Sequence, residues 1–169
     1  KPADTGTNAG QYGEWHRRIE AALAQGKFHP VFQPIVNLHA EASENYEVLV
    51  RMSEDNAVLS AGEFMSAADE SGQAREIDRA ILKQVITHMA QVHKAGRQTR
   101  FFLNVSAWTL RDQDYVPFLL DSLKEAGVQG RFLVFEIEES AIANFPAAVT
   151  QFVQATKRLG CELAVDNFT

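Results

Sequence analysis

The chain has a single cysteine, Cys161, among 169 residues. A lone thiol excludes an internal disulfide framework and suits a reducing compartment. Long apolar runs are also missing. The longest, such as "FLVF", fall far short of the roughly 20 residues that span a bilayer, and the opening "KPADTGTNAGQYGEWH" has no apolar signal core. Both absences point to a cytoplasmic protein without direct membrane insertion. Cationic excess is missing too: 16 Lys and Arg against 22 Asp and Glu leave −6. That balance argues against a nucleic-acid backbone reader, although one local arginine or a metal ion can still hold a small anion. There is no P-loop, no G-x-G-x-x-G, no G-x-S-x-G and no cysteine–histidine set with zinc spacing. His16, His29, His39, His88 and His93 stand at no ligand spacing and read as surface or core residues.

What is present is a strand-and-helix alternation. Residues 1–10 are small and polar and read as a disordered lead-in or linker, with one domain over 11–169. A helix from Gly13 carries Trp15, Ile19, Ala22 and Leu23 on one face. "FHPVFQPIVNL" (28–38) and "NYEVLVRM" (45–52) read as two strands, close enough through His39–Glu44 for an antiparallel pair. Pro30 and Pro34 mark the first as an irregular or edge strand. Ser60 and Glu63 have capping-box spacing, and a longer helix follows with Ile77, Ile81, Val85, Met89 and Val92 in a stripe. Then "KAG", "EAG" and "RLG" each end a helix just before a strand: "TRFFLNVS", "RFLVFEIE" and "CELAVDNF". Helix–Gly–strand three times over is the pattern of βα units and a parallel sheet.

Successive side chains of a strand face opposite ways. In "YEVLVRM", Tyr46, Val48, Val50 and Met52 fall on one side, and Glu47, Leu49 and Arg51 on the other. The three later strands repeat the division, with an apolar face opposite Asn104, Glu136 and Asp166. Parallel sheets bind ligands at the C-terminal ends of their strands. Glu47, Asn104, Glu136 and Asp166 therefore converge on one mouth, with Arg51 beside them. Three carboxylates and an amide are hard ligands, suited to Mg²⁺, Mn²⁺ or Ca²⁺. The planar fork of Arg51 matches phosphate oxygens. Together they suggest phosphodiester binding, or hydrolysis through a metal-activated water.

The motifs resemble those of the EAL domain family, which binds and often hydrolyses cyclic di-GMP on a modified TIM barrel. "FQPIV" resembles the first-strand Y/F-Q-P-I, "EVLVR" stands where E-A-L-L-R is usual, "NVS" matches N-x-S, "EIEES" matches E-I-T-E-S, and "DNFT" occupies the D-D-F-G position. The resemblance implies an α/β fold, a modified (β/α)8 barrel whose first two strands are antiparallel. It also implies a chain covering only the N-terminal part of that barrel, with later strands missing. Glu47, Asn104, Glu136 and Asp166 then resemble the metal ligands, Arg51 the phosphate-contacting arginine, and Gln33, Leu49 and Asp78 nucleotide-contacting positions. Glu139 resembles a supporting acid.

Four departures bear on activity: Val48 for alanine, Glu138 for threonine, Asn167 for the second aspartate and Thr169 for glycine. An amide at 167 has an acceptor oxygen but no charge to hold a second metal. The resemblance thus implies a non-catalytic cyclic di-GMP receptor with a vestigial metal site that requires no cofactor. "EVLVR" with "DNF" is most similar to FimX-type regulators of type IV pili, which relay the signal to a PilZ-domain partner. The alternatives are an active phosphodiesterase using Mg²⁺ or Mn²⁺, and an interaction module that has lost the nucleotide. Trp108, just after "NVS", is a candidate for a partner surface or for the core.

Overall fold

A computed structural model describes residues 6–36 and 44–166. The residues His39, Asn167 and Thr169, with the first part of the lead-in, lie outside it. Helix α1 (Gly6–Ala24) precedes strands β1 (Phe28–Pro34), β2 (Glu44–Glu54) and β3 (Ala57–Ser60). Helices α2 (Ala61–Ser71) and α3 (Ala74–Lys94) lead to β4 (Thr99–Val105) and the short α4 (Ala107–Leu110). Then come α5 (Tyr115–Ala126), β5 (Leu133–Glu138), α6 (Glu139–Asn144), α7 (Pro146–Arg158) and β6 (Glu162–Asp166).

The strands form one mixed sheet in the order β1-β2-β4-β5-β6, with β3 paired to β2. β1 and β2 run antiparallel, whereas β2, β4, β5 and β6 are mutually parallel. This is the expected α/β arrangement. β1 takes an edge, which suits a strand that lacks two amide donors at Pro30 and Pro34. Gly96, Gly127 and Gly160 have φ of 88°, 68° and 84°, so the glycine of each helix–Gly–strand repeat occupies the left-handed region that reverses the chain.

Two elements differ from the sequence-based expectation. α1 starts at Gly6 rather than Gly13, so residues 6–10 of the segment read as lead-in are helical. Once Ile19 and Ala22 dock, with Trp15 and Leu23 against the core, extending an existing helix costs little. β3 was not foreseen. It forms because Asp55, at φ 51°, turns the chain between Glu54 and Ala57 and lays "AVLS" back along β2.

The faces divide as strand parity requires. Val48, Met52, Phe101, Leu103, Val105, Leu133, Phe135 and Ile137 are buried on one side. α3 packs there through Ile77, Ile81, Val85 and Met89, and α5 through Leu119 and Leu123. Phe32 stacks on His88, with ring centroids 4.4 Å apart, and Phe28 meets Phe64 edge-on at 5.4 Å. Fully buried apolar side chains such as Phe28 and Phe64 contribute about 1.5–3 kcal/mol each. With α3 and α5 on that side, the sheet's other face carries the polar residues of the site.

Candidate functional site

Register places the polar residues on this second face. Gln33 lies opposite Glu47, Val31 opposite Leu49 and His29 opposite Arg51 across β1 and β2. Asn104 is directly paired with Glu136, and Glu138 with Asp166. Glu47, however, is level with Phe102, two residues below Asn104, and Asp166 stands two residues beyond the partner of Glu136. The four residues therefore share a face but form a diagonal rather than a level row. The diagonal is the stagger that a barrel's tilted strands impose.

Its electrostatics are those of an uncompensated acid line. Glu136 sits in the middle, and its carboxyl is raised above the ordinary range, first by burial and then by Glu47 and Asp166 on either side. A cation there would relieve both effects, and the oxygen donors of Glu47, Asn104, Glu136 and Asp166 have the hard character that Mg²⁺ or Mn²⁺ takes. The donors are not drawn into a closed cage. Among the described residues, no three His, Cys, Asp or Glu side chains form a metal-holding group.

Above the acid line opens a cleft of about 700 Å³. Leu49 and Arg51 of β2, Asn104 of β4, Glu138 of β5 and Asp166 of β6 reach it. One wall is α2, which presents Gly62, Met65, Ser66 and Asp69 at helical spacing, and Trp108 at the start of α4 continues the lining beside the end of α2. Gln33, Glu47 and Glu136 lie on the same sheet face but outside this cleft. Arg51 donates from Nη1 to the Val50 carbonyl at 3.1 Å. Among the described residues it has no carboxylate within ion-pair distance, while Arg18, Arg79, Arg97 and Arg100 are each paired to an acid on another element. Glu47 lies four residues away along the strand, about 13 Å. Arg51 is thus not neutralised by the acid line.

Asp78, on α3, reaches the cleft from beneath. Its Oδ2 accepts from the Ser106 backbone N–H at 3.0 Å, the Ser106 hydroxyl at 2.8 Å and the Thr109 hydroxyl at 2.5 Å. Burial raises its carboxyl to about 6, against those hydrogen bonds, which pull the other way. The residue is half-buried overall, and the three bonds to its Oδ2 tie α3 to the end of "NVS". Ser106 in turn caps α4, accepting from the Thr109 N–H at 3.2 Å. Glu139 opens α6 and is exposed. Val48 is 3% exposed in the core beneath the site.

Sequence reasoning missed Asp69. Its carboxyl is raised, first by burial and then by Glu138 across the cleft, so it faces the same space. The signal was there in "GEFMSAAD": positions 62, 65, 66 and 69 recur at helical spacing and put Gly62, Ser66 and Asp69 on one face with Met65.

An EAL domain model matches residues 16–169. The chain belongs to the EAL domain family. Among solved structures it is similar to the FimX EAL domain of Pseudomonas aeruginosa bound to c-di-GMP, at 31% identity and a TM-score of 0.84 over 92% of this chain and 62% of that one. The fold also matches the Xanthomonas citri FimX EAL domain in complex with c-di-GMP, with a TM-score of 0.86, 23% identity and coverage of 94% and 62%. Among curated proteins it is 25% identical over 156 residues to a probable cyclic di-GMP phosphodiesterase, PdeI of Escherichia coli, covering 90% of this chain and 20% of that protein. The chain therefore spans under two thirds of the FimX EAL structures and about a fifth of PdeI. Its fold is an EAL barrel's, partially covered, and FimX-like.

Proposed function

We propose that this EAL domain binds cyclic di-GMP and acts as a receptor for it without hydrolysing it. The observation that carries the reading is Arg51, a guanidinium at the mouth of the cleft with no acid partner among the described residues. A planar fork left open beside Leu49 and Asn104 suits a phosphodiester. Gln33, Leu49 and Asp78 complete the nucleotide positions, Asp78 by holding Ser106 and α4 in place. Glu47, Asn104, Glu136 and Asp166 would hold Mg²⁺ or Mn²⁺ if one bound, supplying Lewis-acid activation of water. Asn167, in place of the family's second aspartate, supplies no charge for a second ion. The acid line then remains as a vestigial metal site.

On the motif resemblance to FimX-type regulators, the proposal extends to a signalling role in the cytoplasm, in type IV pilus regulation and through a PilZ-domain partner. Among the described residues no helix is long and apolar enough to cross a membrane. The second reading is an active phosphodiesterase, favoured by the four retained oxygen donors and by relatives of that activity. Incubating the complete protein with cyclic di-GMP and Mg²⁺ or Mn²⁺ decides between them. Chromatography should return the cyclic nucleotide intact. Appearance of the linear dinucleotide would replace the receptor by the enzyme.

A further inference from the structure

One aromatic group faces the cleft without belonging to the core. Trp108 is 38% exposed, while the other large side chains around it, such as Tyr115 at 1%, are buried. Its orientation is determined from two sides. The indole Nε1–H donates to the Asp69 carbonyl at 2.8 Å, and the six-membered ring lies over Gly72, the glycine that ends α2. Arg111 approaches at 5.7 Å from the Trp108 centroid and 4.5 Å from that of Phe145. The N–H is spent on the backbone and part of the six-membered ring rests on Gly72, so a ligand meets the exposed remainder of the ring, beside Arg111. Holding a large apolar surface in one orientation at the mouth of a cleft gives up burial of about 25 cal/mol per Å² left exposed. The same cleft holds Arg51 and the small or flexible side chains Gly62 and Met65.

We infer that Trp108 is a base-stacking wall: one purine base of the bound dinucleotide lies against its exposed ring while Arg51 takes a phosphate. The inference rests on the receptor reading and assigns a ligand-contacting role to a residue outside the motifs that suggested that reading. A phosphate-only ligand would have no use for the indole, and a purine has a π face that stacks on it whatever its edge pattern. The carboxylates of Asp69 and Glu138 at the rim accept hydrogen bonds. They therefore favour a base that presents N–H donors on its Watson–Crick edge, as guanine does through N1–H and its amino group.

The test uses the complete protein and cyclic di-GMP, with calorimetry on the parent, Trp108→Ala and Trp108→Phe. A parallel titration follows tryptophan fluorescence in a Trp15→Phe background with and without Trp108→Phe, so that the difference between the two reports Trp108. Trp108→Ala should weaken binding tenfold or more and Trp108→Phe much less. In the Trp15→Phe protein the emission should change with the same midpoint as the calorimetric titration. Binding by the parent with an Ala variant within twofold and unchanged emission would overturn the stacking role and leave the receptor reading standing. If Trp108→Ala does not fold, the fluorescence titration alone decides. No binding by the parent would overturn both.

Discussion

Replacing Arg51 by alanine should cost cyclic di-GMP affinity at least tenfold, and a hundredfold if both fork nitrogens engage a phosphate. Hydrogen bonds to a charged group are worth about 1.5–3 kcal/mol, and about 1.4 kcal/mol is a factor of ten. Because Arg51 has no acid partner among the described residues, its removal strands no buried carboxylate. The folded protein should therefore keep its melting temperature to within a degree or two. Lysine at 51 should recover only part of the loss, since an ammonium restores the charge but not the planar fork. Calorimetry on Arg51→Ala and Arg51→Lys reads all three outcomes. Unchanged affinity in the alanine variant would remove Arg51 from the site.

The second large effect is on stability. Asp78→Ala should destabilise the fold by about 2–3 kcal/mol, since the Ser106 N–H and two hydroxyls lose their acceptor at once. The pH dependence has a definite sign. The folded carboxyl stands at about 6, above its ordinary 3.8, so the folded state binds the proton more tightly. Its stabilising contribution is complete below pH about 4 and is lost as pH rises through about 6, amounting to at most about 3 kcal/mol. Urea melts of the parent and of Asp78→Asn at pH 4.5 and 7 isolate this contribution, because other groups cancel in the difference. The parent should gain stability relative to the Asn variant on acidification. A difference that does not change with pH would mean that the carboxyl titrates normally.

Much of this was legible in the chain because strand parity is a local property. "YEVLVRM" alone puts Glu47, Leu49 and Arg51 opposite the core face, and the structure keeps that division in β2, β4 and β5, whereas Val165 on the expected apolar face of β6 is exposed. The three glycines that end helices were readable for the same reason: a left-handed residue before a strand is a short-range demand. The stagger of Glu47, Asn104, Glu136 and Asp166 was not, because register between strands distant in sequence is set by sheet tilt and helix packing. Trp108 was ambiguous between core and surface. Its place depends on where the end of α2 comes to rest against α4, a contact between segments 39 residues apart at its hydrogen bond. Asp69 escaped for that reason too. β3 was missed because four residues are too few to show a period, and only the turn at Asp55 and Asn56 announced it.

That one sheet face gathers the ligand is tested most directly by amide chemical-shift mapping of the complete isotope-labelled protein during a cyclic di-GMP titration with chelator present. The account predicts saturable shifts concentrated at 49–52, 104–108 and 136–138, with small changes along the buried stripe of α3. Shifts confined to the helical side of the sheet, or none at millimolar nucleotide, would contradict it.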